Sequence, residues 1–326
     1  MIMNTVNKIL EKVNHYIDAL PYERKPESLY EPIRYVLSIG GKRIRPVLML
    51  LSYNLYRDDV DKILSVACGL ETYHNYTLLH DDLMDQAPMR RGMPTVHRKW
   101  DANTAILSGD SMLVLAFQRI ADCDDKHLRD IVKLFTETAL EIGEGQQFDM
   151  DFEQRTDVSE EEYINMIRLK TSVLLACATK MGACLADASP TDADLLYHFG
   201  EKLGLAFQLQ DDFLDVYGNP AVFGKAIGGD ITSNKMTYML INALNRANEQ
   251  QRAELLRWIQ ATDFDRQEKI EAVTRIYNEL AIDKLAQERI AQLFEECLLL
   301  LDQLPVANER KEQLRQYAHQ LMLRDK

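Results

Sequence analysis

The chain has 326 residues, of which 46% are hydrophobic, and a formal net charge of -13. This length and apolar content suit a large domain with a substantial core, and the acidic balance argues against nucleic-acid binding, which needs a basic face. The five cysteines include no C-x-x-C pair, and no run reaches the roughly 18 apolar residues of a membrane span. We expect a cytoplasmic protein with neither a disulfide framework nor stable membrane insertion.

Apolar residues recur at helical spacing along almost the whole chain, as at Ile106, Leu113 and Phe117. The predicted helices cover residues 3–20, 28–39, 44–57, 60–86, 102–121, 126–150, 159–187, 191–217, 232–248, 250–260, 266–303 and 307–324. Ser159 and Glu162 form a capping-box pattern at the start of one of them. No alternating strand pattern and no linker-like composition interrupts the series, so the prediction is one all-α domain over residues 1–326.

The first unusual segment along the chain is GGKRIRP at 40–46, which joins a glycine pair to three basic residues. Glycines let the backbone bend closely around a ligand, and Lys42, Arg43 and Arg45 are donors suited to phosphate oxygens. In isolation, a solvated basic surface is the simpler interpretation of this segment.

An acidic pattern occurs twice, as DDLMD at 81–85 within LLHDDLMDQAPMRRG and as DDFLD at 211–215. Positions i and i+4 share one face of a helix, so Asp81 and Asp85 project together. One copy alone is typical of a solvated helix end. Two copies facing each other would repel unless hard cations lay between them, and Mg²⁺ prefers carboxylate, water and phosphate oxygens. The sequence therefore predicts a magnesium-bridged phosphate site.

Four segments together resemble the ordered motif set of the trans-polyprenyl diphosphate synthases, the farnesyl and geranylgeranyl diphosphate synthase family. They are GGKRIRP, LLHDDLMDQAPMRRG, FQLQDDFLD at 207–215 and FGKAIGGDI at 223–231. The resemblance covers residues 25 to 240 and implies a helical bundle around a central elongated cavity, a homodimer, and head-to-tail condensation of isopentenyl diphosphate with an allylic diphosphate. The allylic partner would be dimethylallyl, geranyl or farnesyl diphosphate, held by three Mg²⁺ ions that Mn²⁺ can replace.

The resemblance also implies roles for individual residues. Metal ligands would be Asp81, Asp85 and Asp211, with Asp82, Asp212 and Asp215 acting directly or through water. The allylic diphosphate would be contacted by Arg90, Lys170, Thr171, Gln208, Lys225 and Lys235. Isopentenyl diphosphate would be contacted by Lys42, Arg45, His74 and Arg91. Metals and basic side chains would stabilise the charge on the departing diphosphate, and the catalytic residues would be Asp81, Asp82, Asp85, Arg90, Lys170, Asp211 and Lys225. On this interpretation, Arg90 and Arg91 hold different diphosphates and are not there mainly to neutralise the aspartates.

The segment DITSNKMTYML at 230–240 departs from the family pattern. Family members more often have a glycine before the lysine and a proline a few residues later, whereas this chain has Asn234 before Lys235 and no proline. Lys235 is therefore the implied substrate contact whose surroundings match the family pattern least well.

Three residues before the first acidic motif bear on product length. Tyr76 lies five positions before Asp81, about 7.5 Å along a helix, where a large aromatic would stop the growing chain. Thr77 beside it is small, and Tyr73 is a second stop one turn deeper; ordinary core packing of Tyr76 is the alternative. The resemblance implies a C15–C20 product. Geranylgeranyl diphosphate is favoured over farnesyl because DDLMD lacks the two extra residues usual in bacterial farnesyl enzymes.

Other functions fit the pattern less well. A longer-chain polyprenyl synthase is the nearest alternative. Terpene cyclases and head-to-head condensing enzymes differ in the second motif, and a non-catalytic subunit of a heteromeric synthase has usually lost both acidic motifs.

Overall fold

The computed structural model of the chain describes residues 2–219 and 227–323, with side chains described from residue 6 onward. The regular secondary structure of this described part is helical, apart from one hairpin of two-residue strands, so the all-α prediction is confirmed. The helices are α1 (Ile2–Asp18), α2 (Glu27–Ser38), α3 (Ile44–Asn54), α4 (Leu64–Met84), α5 (Val96–Lys99), α6 (Ala102–Ile120), α7 (Asp125–Phe152), α8 (Glu160–Ile167), α9 (Val173–Leu185), α10 (Pro190–Tyr217), α11 (Gly229–Thr232), α12 (Tyr238–Arg246), α13 (Glu249–Gln260), α14 (Arg266–Glu279), α15 (Ile282–Asp302) and α16 (Asn308–Met322). The hairpin strands are β1 (Met89–Arg90) and β2 (Met93–Pro94), a 3₁₀ turn (Val60–Ile63) precedes α4, and a π turn (Arg168–Ser172) joins α8 to α9.

The chain divides into two compact units. Unit 1 contains Met1–Thr136, Cys177–Leu196 and Pro305–Leu314, and unit 2 contains Glu137–Ala176, Tyr197–Leu304 and Arg315–Lys326. Most of the boundaries fall inside helices, not in linkers. The single-domain assignment stays a prediction. Among the described helices, none is apolar over enough length to cross a bilayer.

Helix α4 is the central element of unit 1. It is buried from Val66 to Tyr73, and it packs along α6. A helix segment that is buried on every side in this way belongs in a core and needs no amphipathic stripe. Asp101 begins α6 by accepting a hydrogen bond from the Thr104 amide at 2.8 Å. The acidic motif at the end of α4 is therefore placed by a helix that is rooted in the core of the unit.

Unit 2 has its own core, built largely from α10 and α12 to α15. The predicted capping box is present at the start of α8, where Ser159 and Glu162 bond reciprocally to each other's backbone amide. A second box, between Asn248 and Gln251, begins α13. These caps fix the starts of two helices that carry core residues.

The predicted helix over 266–303 is two helices. It breaks at Ala281, whose φ of 53° is left-handed and costs a non-glycine residue about 1–2 kcal/mol. Ile276 and Ile282, on either side, are completely buried, and burying such a side chain contributes about 1.5–3 kcal/mol. Because α14 and α15 pack against each other, burial outweighs the local strain. The predicted helix over 232–248 was also wrong at its start, since α12 begins at Tyr238.

Candidate active site

The first acidic motif closes α4 in unit 1. Asp85 caps the helix and is exposed, Asp81 is half-buried and Asp82 is buried. Arg90 lies beside them, with its Nε donating to Asp82 Oδ2 at 2.7 Å and its Nη2 3.8 Å from Asp81 Oδ2. Burial raises the pKa of Asp82, and the guanidinium of Arg90 opposes that rise. Arg90 therefore lies against the motif and offsets part of its charge, and its role at a diphosphate stays a prediction.

The hairpin that follows presents the arginine pair. Strands β1 and β2 pair antiparallel, and Arg91 and Gly92 at the turn have φ angles of 52° and 76°. Two successive positive angles are typical of the type I′ turn that suits tight hairpins. Arg91 Nη1 donates to the carbonyl of Gly40, and a Cβ on Gly41 would lie 2.8 Å from the Arg91 guanidinium. Glycine at position 41 thus lets the GGKRIRP segment and the hairpin meet.

This meeting creates a cationic cluster of Arg45 and Arg91, with the neutral His74 of α4 as their neighbour. Burial lowers the pKa of Arg45 to about 10, a shift opposed by Glu71 and reinforced by Arg91. Burial first, and then the charges of Arg45 and Arg91, hold the pKa of His74 well below its usual range, so its imidazole is neutral at pH 7. Lys42 lies exposed in the same segment. Cations that disfavour one another at close range favour the binding of an anion.

Arg43 does not join this cluster's exposed face, and the expectation that GGKRIRP presents it with its neighbours is wrong. Its φ is 49°, and its guanidinium donates to Glu71 Oε1 at 3.0 Å, the Leu37 carbonyl at 2.7 Å and Asn14 Oδ1 at 3.3 Å. Both partners of the Arg43–Glu71 ion pair are buried, with 3% and 2% of their side chains exposed. Arg43 therefore anchors the segment. The sequence around Glu71 gave no indication of this ion pair, because its partner is distant in the chain.

An aromatic ladder runs back along α4 from the first acidic motif. It consists of the rings of His80, Tyr76, Tyr73, Phe135 and Phe117, with successive centroid distances of 4.8, 5.5, 5.0 and 5.0 Å. Tyr73 is buried, and Tyr76 is partly exposed. Thr77 bonds through its hydroxyl to the His74 carbonyl of its own helix at 2.8 Å. The three residues predicted to set chain length therefore lie on one helix, at increasing depth from Thr77 to Tyr73, and their role stays a prediction.

The second acidic motif ends α10 in unit 2. Asp211 is half-buried, and Asp212 is buried. The Tyr163 hydroxyl donates to Asp212 Oδ2, and Gln208 Nε2 donates to its Oδ1 at 3.1 Å. Burial, with the charge of nearby carboxylates, raises the pKa of Asp212 well above its usual range. Thr171 donates to Gln208 Oε1 at 3.2 Å, so two predicted substrate residues form one chain of contacts with the motif. The sequence did not point to Tyr163, because it follows the capping box of α8 and belongs to no motif typical of a catalytic site.

Lys170 and Thr171 lie in the π turn, a geometry that is frequent at functional sites. A Cβ on Gly145 would lie 2.3 Å from the Lys170 nitrogen, and one on Gly204 would lie 2.6 Å from the Ser172 Cα. The turn therefore fits only because α7 and α10 each offer a glycine. Lys170 Nζ donates to Asp149 Oδ2 at 2.6 Å.

Asp215, the last residue of the second motif, has a structural contact. Its Oδ2 accepts from the Asp230 amide at 2.9 Å, and its carbonyl accepts from the Gly228 amide at 2.7 Å. Lys235 is exposed in the turn after α11. Lys225 lies outside the described residues, so its implied role stays a prediction.

The carboxylates of the two motifs suit a hard cation by their chemistry. Over residues 2–219 and 227–323, no three histidine, cysteine, aspartate or glutamate side chains converge closely enough to enclose a metal by themselves. Mg²⁺ does not require such a cage, because it retains waters and takes substrate phosphate oxygens beside one or two carboxylates. Asp81 and Asp85 in unit 1 and Asp211 in unit 2 fit that mode of binding.

A model of the polyprenyl synthetase family matches residues 26–279. The chain belongs to this family. A geranylgeranyl diphosphate synthase of Methanosarcina mazei is 40% identical over 251 residues, which cover 76% of this chain and 78% of that protein. The crystal structure of a geranylgeranyl pyrophosphate synthase is 41% identical, with a TM-score of 0.91, and the match covers 100% of this chain and 99% of that one.

A further solved member of the family is the geranylgeranyl pyrophosphate synthase of Corynebacterium glutamicum, complexed with isoprenyl diphosphate and magnesium. It is 28% identical, with a TM-score of 0.86, and the match covers 98% of each chain. The predicted family is thereby confirmed, and so is the assignment of this chain as a prenyltransferase.

Proposed function

We propose that this polyprenyl synthetase condenses isopentenyl diphosphate head-to-tail with an allylic diphosphate, in a Mg²⁺-dependent reaction that gives a short-chain all-trans polyprenyl diphosphate. The observation that carries the proposal is the cationic cluster of unit 1. Arg45 and Arg91 meet there around a neutral His74, on the helix that ends in the first acidic motif. A cluster of cations beside carboxylates suited to a metal matches two substrates that both carry diphosphate.

Each substrate has its own set of side chains in this proposal. Isopentenyl diphosphate is bound by Lys42, Arg45, His74 and Arg91. The diphosphate of the allylic substrate is bound by Arg90, Lys170, Thr171, Gln208 and Lys235. Mg²⁺ is held by Asp81, Asp85 and Asp211, with Asp82 and Asp215 supporting, and the complex of the related synthase with magnesium supports this choice of metal.

The chemistry needs no nucleophilic side chain. When bound, Mg²⁺ stabilises the negative charge that develops on the departing diphosphate. Arg90 and Lys170 add positive charge near the same oxygens, in a setting from which water is excluded. The bond between C1 of the allylic substrate and its diphosphate oxygen breaks, and the electron pair leaves with the diphosphate. C4 of the isopentenyl double bond then joins C1, and the proton lost from its C2 goes to the released diphosphate.

A C20 product is the proposed main outcome. The aromatic ladder begins at His80 and Tyr76, so the growing tail meets the Tyr76 ring about one and a half turns from Asp81. The geranylgeranyl names of the related synthases support the same length. A longer product remains the alternative, because chain length depends on how firmly Tyr76 blocks the tail.

We also propose a homodimer in the cytoplasm. Helix α6 exposes Ile106, Leu107 and Val114, with 46%, 60% and 59% of their surfaces accessible. An apolar helix face of this kind suits a second copy of the chain. None of the five cysteines, all within the described residues, forms a disulfide, which fits a reducing compartment. Sedimentation at micromolar concentration tests the dimer, and a monomer mass would overturn it.

The decisive experiment measures the reaction itself. The purified chain is incubated with Mg²⁺, isopentenyl diphosphate and each of the C5, C10 and C15 allylic primers, and the products are dephosphorylated and sized. We expect incorporation with at least one primer, a main product of C20, and loss of activity when EDTA removes the metal. No incorporation with any primer would refute the proposed function.

A further inference from the structure

The turn that carries Lys235 is a Schellman cap at the end of α11. The Lys235 amide donates to the Asp230 carbonyl at 3.0 Å, and the Asn234 amide donates to the Ile231 carbonyl at 3.3 Å. These are the two bonds that define the motif, and they place Asn234 at the position usually occupied by glycine. Its φ of 56° is the left-handed conformation that the motif requires. Asparagine tolerates this conformation better than most residues, although less well than glycine.

Asn234 is held in place by its side chain. Its Oδ1 accepts from Lys269 Nζ at 2.6 Å, and its Nδ2 donates to the Ile259 carbonyl at 3.0 Å. Lys269 is only 1% exposed, which is rare for a lysine, and its ammonium lies 4.2 Å from the centroid of the Phe264 ring. A buried ammonium is costly unless it makes such contacts, so the site around it is built for them.

Lys269 has no room to bind a substrate. The cavity that it lines with Asn234 and Trp258 has a volume of about 10 Å³, no more than one water molecule occupies. Burial also lowers the pKa of Lys269. The ammonium therefore acts on the cap and not on a ligand.

We propose that Lys269 is a positioning residue: by holding Asn234 in the left-handed conformation, it closes the cap that directs Lys235 toward the allylic diphosphate. The cap is tied to the second acidic motif, because the amide of Asp230 donates to Asp215 Oδ2 at 2.9 Å. This inference rests on the proposed function, in which Lys235 contacts the allylic substrate. The family more often has glycine at this position, and glycine adopts the left-handed conformation unaided. In this chain the contact with Lys269 holds asparagine in that conformation.

The test measures Michaelis constants for both substrates, with Lys235→Ala as the reference variant. We expect Lys235→Ala to raise the KM of the allylic substrate about tenfold, the effect of one charge-assisted hydrogen bond. Lys269→Met is expected to raise the same KM about threefold to tenfold and to leave the KM of isopentenyl diphosphate unchanged. Lys311→Met is the matched control, since Lys311 is also a buried lysine (4% exposed) but belongs to unit 1. It should lower the melting temperature without changing either KM.

The asparagine offers a second and independent test. Asn234→Gly can adopt the left-handed conformation unaided, so its allylic KM should stay within about twofold of the wild type. Adding Lys269→Met to Asn234→Gly should then change the KM no further. Asn234→Ala keeps Lys269 but loses the side-chain hydrogen bonds of Asn234 and its tolerance of the left-handed conformation, so it should raise the allylic KM. This variant tests the proposal independently if Lys269→Met does not fold.

The outcomes separate the two hypotheses. If Lys235→Ala raises the allylic KM while Lys269→Met and Asn234→Ala do not, the positioning role is refuted and the proposed function stands. An equal effect of Lys269→Met in the wild type and in Asn234→Gly would also refute it. If Lys235→Ala leaves the allylic KM unchanged, Lys235 is not a substrate contact, and the positioning proposal fails with it.

Discussion

Truncation of Tyr76 is expected to lengthen the product by one isoprene unit. Tyr76 lies five residues before Asp81, about 7.5 Å along α4, and its ring is 5.5 Å from that of Tyr73, one turn deeper. Tyr76→Ala removes the seven non-hydrogen atoms of the phenol group, whereas one isoprene unit adds five carbons, so one truncation opens room for about one more unit. We expect the main product to shift from C20 to C25.

The second ring should then stop the chain. Tyr73 is buried, and its ring is 5.0 Å from that of Phe135, so it cannot swing aside without disturbing the core. Tyr73→Ala alone should leave the product unchanged because Tyr76 is met first, and the double variant should extend the chain beyond C25. Thr77→Ser is the matched control: it removes one methyl group and retains the hydroxyl that bonds to the backbone of α4.

The assay sizes the dephosphorylated products of each variant by liquid chromatography at equal conversion of isopentenyl diphosphate. The order of the two rings is the critical result. An unchanged product from Tyr76→Ala, or an equally long product from Tyr73→Ala alone, would show that these rings pack the core and do not limit the chain.

Three further predictions address stability and substrate binding. Glu71→Gln leaves the guanidinium of Arg43 charged and buried, so it should lower the free energy of unfolding by about 3–5 kcal/mol and the melting temperature by about 6 °C or more. A change in melting temperature below about 2 °C would contradict the importance of the buried pair. Gly145→Ala should displace the π turn and raise the KM of the allylic substrate severalfold. Gly143→Ala is the control, because a Cβ there has nothing within 4 Å, and it should leave this KM unchanged. Equal effects of the two variants would show that close packing at Gly145 does not position the turn. The folded-state pKa of His74 lies below its unfolded value of about 6.5, so the unfolded chain takes up the extra proton and stability falls as pH drops below 6.5. Melting temperatures of His74→Asn between pH 7 and 5 should fall less than those of the wild type, and parallel curves would exclude this contribution.

Much of the fold could be predicted because its signals are local. Helical periodicity located most of the helices, and the capping box of Ser159 marked the start of α8. The break at Ala281 could not be predicted, because neither glycine nor proline marks it and the burial that offsets its strain comes from the packing of α14 on α15. Burial by distant elements overrides local propensity in such places.

The sequence by itself determined the family, the two acidic motifs and the basic segments that suit diphosphate, because each consists of residue types at a fixed spacing. Only the tertiary structure decided the partner of each charge. Arg43 lies two positions before Arg45 in the chain, yet it is buried against Glu71, and Arg90 pairs with Asp82. The physical reason is that a buried charge is stable only with a partner of opposite sign, and folding, not sequence spacing, supplies that partner.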